Sequence, residues 1–377
     1  QTINGFALTN ANTIRLLETA ESFTEKLVAE IDAAQSSVNL LFYIWLPDRT
    51  GLTIANALMR AAKRGVTCRV MVDELGSRRF SRSRTWKEMK AAGVKCGIAM
   101  PYQSPLQIRI LNRFDLRNHR KVAVIDGRHG FVGSRNCADP EYLPKKRFGP
   151  WVDMSFWVEG PVINQLQAIF AMDWIGHTKT EHLRQLEFNG HPTSGNAIAV
   201  ARGTGPLHRR NASAQSFTSI IHGAQEEIII TTPYFVPDRS VVGALCTSAL
   251  SGVRVVIMVP RRNDSWIVSA ASRSHYRTLL KSSIEIHEYV DGLLHAKSMT
   301  IDGKMSIFGS SNLDVRSFDL NFENDLLVYD AELAHAIRQQ QQAYLDHSVE
   351  VSLADVRAYP AIQRIWHNVV GTLSPVL

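Results

Sequence analysis

Two stretches of the chain, Asn118–Asn136 (NHRKVAVIDGRHGFVGSRN) and Leu294–Asn312 (LHAKSMTIDGKMSIFGSSN), carry the same frame. Each reads His-x-Lys, four residues, Asp-Gly, five residues, Gly-Ser-x-Asn. The matching positions are His119, Lys121, Asp126, Gly133, Ser134 and Asn136, then His295, Lys297, Asp302, Gly309, Ser310 and Asn312. Their offset of 176 residues is close to half of the 377-residue chain. Self-similarity at one large offset marks a repeated structural unit.

The flanks repeat as well. The apolar run Val38–Trp45 (VNLLFYIW) precedes a helix-like stretch Leu52–Arg64, Gly65-Val66 and a second run, Cys68–Asp73. In the other half Ile228–Val236 (IIITTPYFV) precedes Val241–Leu250, Gly252-Val253 and Arg254–Pro260. Continuous apolar runs alternating with helical patterns indicate βαβ units. The prediction is an α/β chain of two similar domains, 1–195 and 205–377, each a largely parallel mixed sheet flanked by helices. A pseudo-twofold relates them, with the site between. The turn-rich stretch Asn189–Gly205, with four Gly and one Pro, reads as the joint.

Composition narrows the class. With 45% hydrophobic and 20% charged residues the chain is neither disordered nor collagen-like. A net charge of +7 and a pI near 9.3 favour polyanionic or anionic-surface partners. Cys68, Cys96, Cys137 and Cys246 form no CxxC pair, so they read as buried free thiols rather than a zinc site or disulfide framework. No run approaches the roughly 18 to 20 apolar residues of a membrane span, and Ser36–Pro47 reads as a buried strand. The first residue is Gln1, which suggests a processed or trimmed chain.

Strand parity sorts the motif. His119 and Lys121 share one face, as do His295 and Lys297, whereas Asp126 and Asp302 fall on the other, before a turn glycine. Each Asp therefore reads as a strand-end or turn determinant rather than a group in contact with substrate. Two copies face to face would place two His, two Lys, two Ser and two Asn around one pocket suited to a phosphoryl group. Ser134 and Ser310 would bond phosphoryl oxygens or only shape the turn. Each imidazole needs a partner on its second nitrogen, and the carboxylates downstream of each motif, Asp153 and Glu323, are the candidates. They would otherwise form salt bridges with a neighbouring Arg.

The duplicated HxKxxxxDxxxxxxGSxN resembles the signature of the phospholipase D superfamily. The likeness extends through FYIWLPD, RNHRK, WVDMSFWVEGP, TTPYFVPD, PRRNDS, GLLHAKS and NLDVRSFDLNFEND. From about Ile14 to the C-terminal end the chain is similar to bacterial cardiolipin synthases of the A type. The resemblance implies phosphodiester exchange through a phosphohistidine, without metal or cofactor. It implies a catalytic set of His119, Lys121, Asp126, His295, Lys297 and Asp302. Ser134, Asn136, Ser310, Asn312, Asp153 and Glu323 would bind phosphate or orient the imidazoles. By analogy His119 is the nucleophile and His295 the general acid and base, with the reverse assignment left open.

The implied reaction converts two phosphatidylglycerols to cardiolipin and glycerol, with phosphatidylethanolamine open as a second substrate. A hydrolytic phospholipase D and a metal-independent nuclease are the alternatives. The implied partners are anionic phospholipids and a membrane surface. No nucleic acid is expected, because the basic clusters lack regular aromatic interleaving. The family's paired N-terminal transmembrane helices do not occur in these residues, so association with a bacterial inner membrane would run through such helices or be peripheral.

Other groups have blander readings. Arg78, Arg79, Arg82, Arg84 and Lys87 form a basic cluster that is a solvated face or a headgroup contact. Lys145, Lys146 and Arg147, beside Tyr142, Leu143, Phe148 and Trp151, suit a bilayer interface. Tyr234 lines the pocket or packs with aromatics, and Ile267–Leu280 would flank an acyl entrance. His177, His182 and His208 follow no ligand spacing.

Overall fold

The structure, a computed structural model, describes residues 5–101, 115–178, 186–207, 209 and 211–372, so His182 and His208 lie outside the described residues. The first half contributes β1 (Thr9–Leu17), β2 (Ser37–Phe42), β3 (Thr67–Asp73), β4 (Lys95–Ala99), β5 (Arg117–Asn118), β6 (Lys121–Ile125), β7 (His129–Gly133), β8 (Trp151–Val152) and β9 (Ser155–Glu159). The second half contributes β10 (Ala197–Thr204), β11 (Glu227–Thr231), β12 (Phe235–Val236), β13 (Arg254–Pro260), β14 (Glu285–Tyr289), β15 (Leu293–Leu294) and β16 (Ser298–Ile301). It continues with β17 (Met305–Gly309), β18 (Leu313–Asp314), β19 (Asn321–Tyr329) and β20 (Ser348–Glu350).

The long strands make one sheet with two equivalent wings. From the midline one wing runs β1-β9-β7-β6-β2-β3-β4 and the other β10-β19-β17-β16-β11-β13-β14, with β20 added at its edge. β1 and β10 pair antiparallel where the wings meet, as a twofold requires. Among the long strands, parallel pairing is confined to the βαβ sections, β2-β3-β4 and β11-β13-β14. The expectation of a largely parallel sheet holds there, but the motif strands pair antiparallel in β6–β7 and β16–β17. The cause is local: an Asp-Gly turn too short for a crossover folds each motif into a hairpin.

The turn-rich joint is shorter than its composition suggests. Residues 197–204 form β10, which pairs along its length with β19 and is buried at Val200, Ala201 and Arg202. The glycines of this stretch mark its ends, while AIAV supplies the strand.

The helices that follow β2 and β12 start alike. Asp48 accepts the Gly51 N–H at 3.0 Å to begin Arg49–Lys63, and Asp238 accepts the Val241 N–H at 3.0 Å to begin Arg239–Leu250. These are the Asp residues of LPD and VPD, side-chain N-caps repeated in both halves. Every residue of β2 is buried, the polar Ser37 and Asn39 included, as a strand covered on both faces requires.

One hydrophobic cluster crosses the midline, taking in Leu41, Phe156 and Phe170 of the first half and Val256, Phe308 and Leu326 of the second. Phe156 and Phe308 stack at 3.6 Å between centroids. Full burial of each phenyl contributes about 1.5–3 kcal/mol, so this shared core holds the wings in one arrangement.

Candidate active site

Two short cross-pairings bring the motifs together. β5, the approach to the first motif, pairs in parallel with β19 of the other half, Arg117 opposite Asn321 and Asn118 opposite Phe322. The ladder continues as the His119 N–H donates to the Phe322 carbonyl at 2.9 Å. Its counterpart β15 pairs in parallel with β8 of the first half, Leu293 opposite Trp151 and Leu294 opposite Val152. There the His295 N–H donates to the Val152 carbonyl at 2.8 Å. The residue that follows each partner is an acid, Glu323 in one case and Asp153 in the other.

The carboxylates therefore cross between halves. His119 Nδ1 lies 2.9 Å from each Glu323 oxygen, and His295 Nδ1 lies 2.6 Å from Asp153 Oδ1. Both acids, lying downstream of a motif in the chain, serve the histidine of the opposite motif. With Nδ1 engaged, Nε2 of each ring is left for the cavity. His119 and His295 both line one cavity of about 530 Å³.

The motif serines stand on the orienting side of the expectation, bonded to the two acids. Ser134 Oγ donates to Asp153 Oδ1 at 2.7 Å, and Ser310 Oγ to Glu323 Oε2 at 2.5 Å. Each Oγ in turn accepts a backbone N–H, from Met154 at 3.0 Å and from Asn324 at 2.9 Å. They hold the carboxylates that hold the imidazoles. Asn136 and Asn312 line the cavity, and Asn136 Oδ1 accepts the Ile44 N–H at 3.1 Å. The buried amide atoms Asn136 Nδ2 and Asn312 Oδ1 have no protein partner.

Lys121 and Lys297 are buried, and each ammonium donates to the carbonyl of its own motif histidine, His119 or His295, at 2.6 Å. Asp126 and Asp302 are not at the cavity. They occupy tight turns with φ of 51° and 52°. Asp126 accepts the N–H groups of Gln35, Ser36 and Ser37 at 2.9, 2.8 and 2.8 Å. Asp302 accepts those of Gln225, Glu226 and Glu227 at 3.0, 2.8 and 2.9 Å. Each ties its motif turn to the start of β2 or β11. Their inclusion in the catalytic set is thus corrected toward the turn role that parity assigns.

Burial sets the charge pattern. Desolvation pushes both imidazoles down to about 4, against the opposing pull of Glu323 and Asp153 and with the help of the lysines. Desolvation likewise lowers Lys121 to about 7 and Lys297 to about 8, less than it would without the nearby carboxylates. Burial alone would raise Asp153 and Glu323, but the facing histidines and lysines outweigh it and hold both below the ordinary carboxylate range. At neutral pH the site pairs neutral imidazoles with ionised acids.

Several cavity residues escape a motif search. Tyr43 packs edge-on against His119 at 4.8 Å, and Trp151 lies 4.4 Å from His295. Trp151 is thus buried in the site rather than in an interface loop. Arg117 and Arg316 add cationic charge to the wall. Arg117, at the parity of His119 in RNHRK, was open to the same alternation argument; Arg316 leaves no local signal. Tyr234 lines the cavity and donates to Asp264 Oδ1 at 2.7 Å. The Arg78–Lys87 cluster is exposed, with Arg84 bonded to Glu88 at 2.7 Å and Arg82 3.4 Å from Glu74. Among the described residues no three His, Cys, Asp or Glu side chains are grouped so as to hold a metal ion.

A twofold sheet carrying a His-x-Lys motif on each wing, with the two histidines in one cavity, defines an enzyme of the phospholipase D superfamily. Within it, the family model described as cardiolipin synthase, PLD-like domain, matches residues 27–174 and 217–345, and the chain belongs to that family. It is 36% identical to cardiolipin synthase A of Proteus mirabilis, across the whole chain and 77% of that protein. To cardiolipin synthase A of Serratia proteamaculans it is 37% identical, over 97% of the chain and 76% of the relative. In fold it is similar to phosphatidylserine synthase of Haemophilus influenzae, with a TM-score of 0.73 at 14% identity, covering 100% of this chain and 98% of that one.

Proposed function

We propose that the chain is a phosphatidyltransferase that converts two phosphatidylglycerols to cardiolipin and glycerol at the surface of a bacterial inner membrane. The observation that carries this reading is the crossed pair of buried acid–imidazole contacts, whose two histidines line one cavity together with Arg117 and Arg316. Membership of the cardiolipin synthase family supports the choice of substrate.

His119 keeps its proton on Nδ1, toward Glu323, and presents the Nε2 lone pair to phosphorus. As the N–P bond forms, the P–O bond to the departing glycerol breaks. The anionic phosphodiester raises the His295 pKa on entering, so His295 is protonated on both nitrogens and gives its Nε2 proton to the leaving alkoxide. The glycerol hydroxyl of a second phosphatidylglycerol then returns a proton to His295 and attacks phosphorus, releasing His119. Lys121, Lys297, Asn136 and Asn312 stabilise charge on the phosphoryl oxygens. Asp153 and Glu323, held by Ser134 and Ser310, orient the rings and stabilise imidazolium.

Phosphatidylglycerol labelled in its headgroup glycerol and, separately, in its phosphate tests this. The expected products are free glycerol and a cardiolipin that carries both phosphatidyl groups, with all four acyl chains, and retains the phosphate label. Phosphatidic acid alone, with no cardiolipin, rejects transfer in favour of hydrolysis.

A further inference from the structure

The helix Ala361–Thr372 turns an apolar stripe outward. Ile362 is 80% and Ile365 63% exposed, and Trp366 and Val369 are exposed beside them. Their spacing, i, i+3, i+4 and i+7, is that of one helix face. The opposite face seats the helix: Val370 packs with Ala270 and Ala271, and His367 meets the Tyr359 ring at 5.5 Å. The exposed stripe is therefore surplus to core packing.

A second tryptophan extends the stripe. Trp266, 66% exposed, begins the helix Trp266–Lys281 and stacks on Trp366 at 5.2 Å with an interplanar angle of 17°. Its neighbours Ser265 and Val268 line the site cavity, so the indole pair stands at the cavity rim. Lys145 also lines the cavity and is bonded to Asp264 at 2.6 Å, while Arg262 donates to the Arg147 carbonyl at 3.3 Å. These bonds join the exposed basic loop around Leu143 to the same rim.

Charge chooses among occupants. Neither helix contains Asp or Glu, while they carry Arg273, Arg277, Lys281 and Arg364, and the rim adds Arg261, Lys146 and Arg147. Arg273 is bonded to Glu288, which leaves the others to the surface. Paired indoles, branched aliphatics and a cationic flank are what an in-plane helix needs at the headgroup level of an anionic bilayer. A second copy of this cationic face would meet like charge.

We propose that the 361–372 helix, with Trp266, docks in the plane of an anionic lipid bilayer and sets the cavity mouth against the headgroups. The proposal rests on the phospholipid reading of the site, and its test separates the two. The probe is the 377-residue chain with phosphatidylglycerol–phosphatidylcholine vesicles, compared with the triple variant Ile362→Ser, Ile365→Ser, Val369→Ser. The expected result is vesicle binding weakened at least about tenfold, with turnover of monomeric short-chain phosphatidylglycerol retained. Acyl chains brominated near the headgroup should quench the wild type more than Trp266→Phe/Trp366→Phe, a readout that does not depend on the triple variant folding.

Unchanged vesicle binding by the folded triple variant, or equal quenching in both proteins, overturns the docking. So does a dimer that the triple variant dissociates without loss of vesicle binding. If monomeric phosphatidylglycerol is not turned over by the wild type, the functional reading fails while the binding comparison still stands by itself.

Discussion

Asp153 lies 34 residues after His119, yet its carboxylate bonds His295, from the other half of the molecule, at 2.6 Å. Glu323 makes the reciprocal bond to His119 at 2.9 Å. Neither half contains a complete imidazole–carboxylate pair from these groups. The site exists only when the wings are joined, which ties formation of the shared core around Phe156 and Phe308 to the chemistry.

The crossing predicts that Asp153→Asn and Glu323→Gln act on the rate rather than on the fold. An amide of the same shape can donate to Nδ1, selects the wrong tautomer and withdraws the charge that stabilises imidazolium. The expected fall in kcat is between about 10²- and 10⁴-fold, with a smaller change in KM. If each acid served its own half, Asp153→Asn would impair the His119 step. Here, with a phosphatidyl ester whose leaving group needs no protonation, Glu323→Gln should still slow formation of the covalent intermediate through His119 and Asp153→Asn should not, which rapid-quench kinetics on the two variants resolve.

The repeat was legible because six positions recur at one offset, and alternation along the motif strand separates His119 from Asp126. The crossing was not. It is set by two-residue strands, Arg117–Asn118 and Trp151–Val152, too short to carry a pattern, pairing with partners about two hundred residues away in one case. The partners of Ser134 and Ser310 were hidden for the same reason: their bonds are to carboxylates placed by tertiary structure. The outward stripe of 361–372 has the spacing of a core face, and only burial distinguishes the two.

The assignment of nucleophile predicts where a covalent label resides. Rapid quenching with phosphate-labelled phosphatidylglycerol should give an adduct that survives alkali and is lost in acid, as a phosphohistidine does. Peptide mapping is expected to place it on His119, and His119→Ala should abolish it. Label on His295 reverses the two roles without altering the crossed geometry.

The buried lysines predict an alkaline limb in substrate binding. Burial disfavours the ammonium form, so protons leave as pH rises through about 7 for Lys121 and about 8 for Lys297. Affinity for an anionic substrate should fall across that window, and attack is lost below about 4, where His119 becomes protonated. Bound phosphodiester favours both the charged lysines and the His295 imidazolium, so the alkaline limb of kcat is expected at higher pH than that of binding. Lys121→Arg, which stays charged throughout, should shift the alkaline limb upward even as its poorer fit lowers the maximum rate. A limb unmoved by this substitution would assign the titration elsewhere.

The turn aspartates predict a stability effect separable from chemistry. Asp126→Ala leaves the N–H groups of Gln35, Ser36 and Ser37 without their carboxylate and removes the hydroxyl contact of Ser36, at a cost of about 1–3 kcal/mol. Partial burial alone would raise the Asp126 pKa, but those donors together outweigh it and hold it below its ordinary value of 3.8. A depressed folded-state pKa means the stabilisation is complete above the unfolded value and fades as pH falls through the folded one. The denaturation midpoint of the wild type should therefore exceed that of Asp126→Ala at neutral pH, with the gap narrowing below about pH 4. Below the wild-type transition the folded variant should retain kcat within a few-fold, because Asp126 does not reach the cavity. A loss of kcat comparable to that of Asp153→Asn, with the midpoint unchanged, would return Asp126 to the reacting groups.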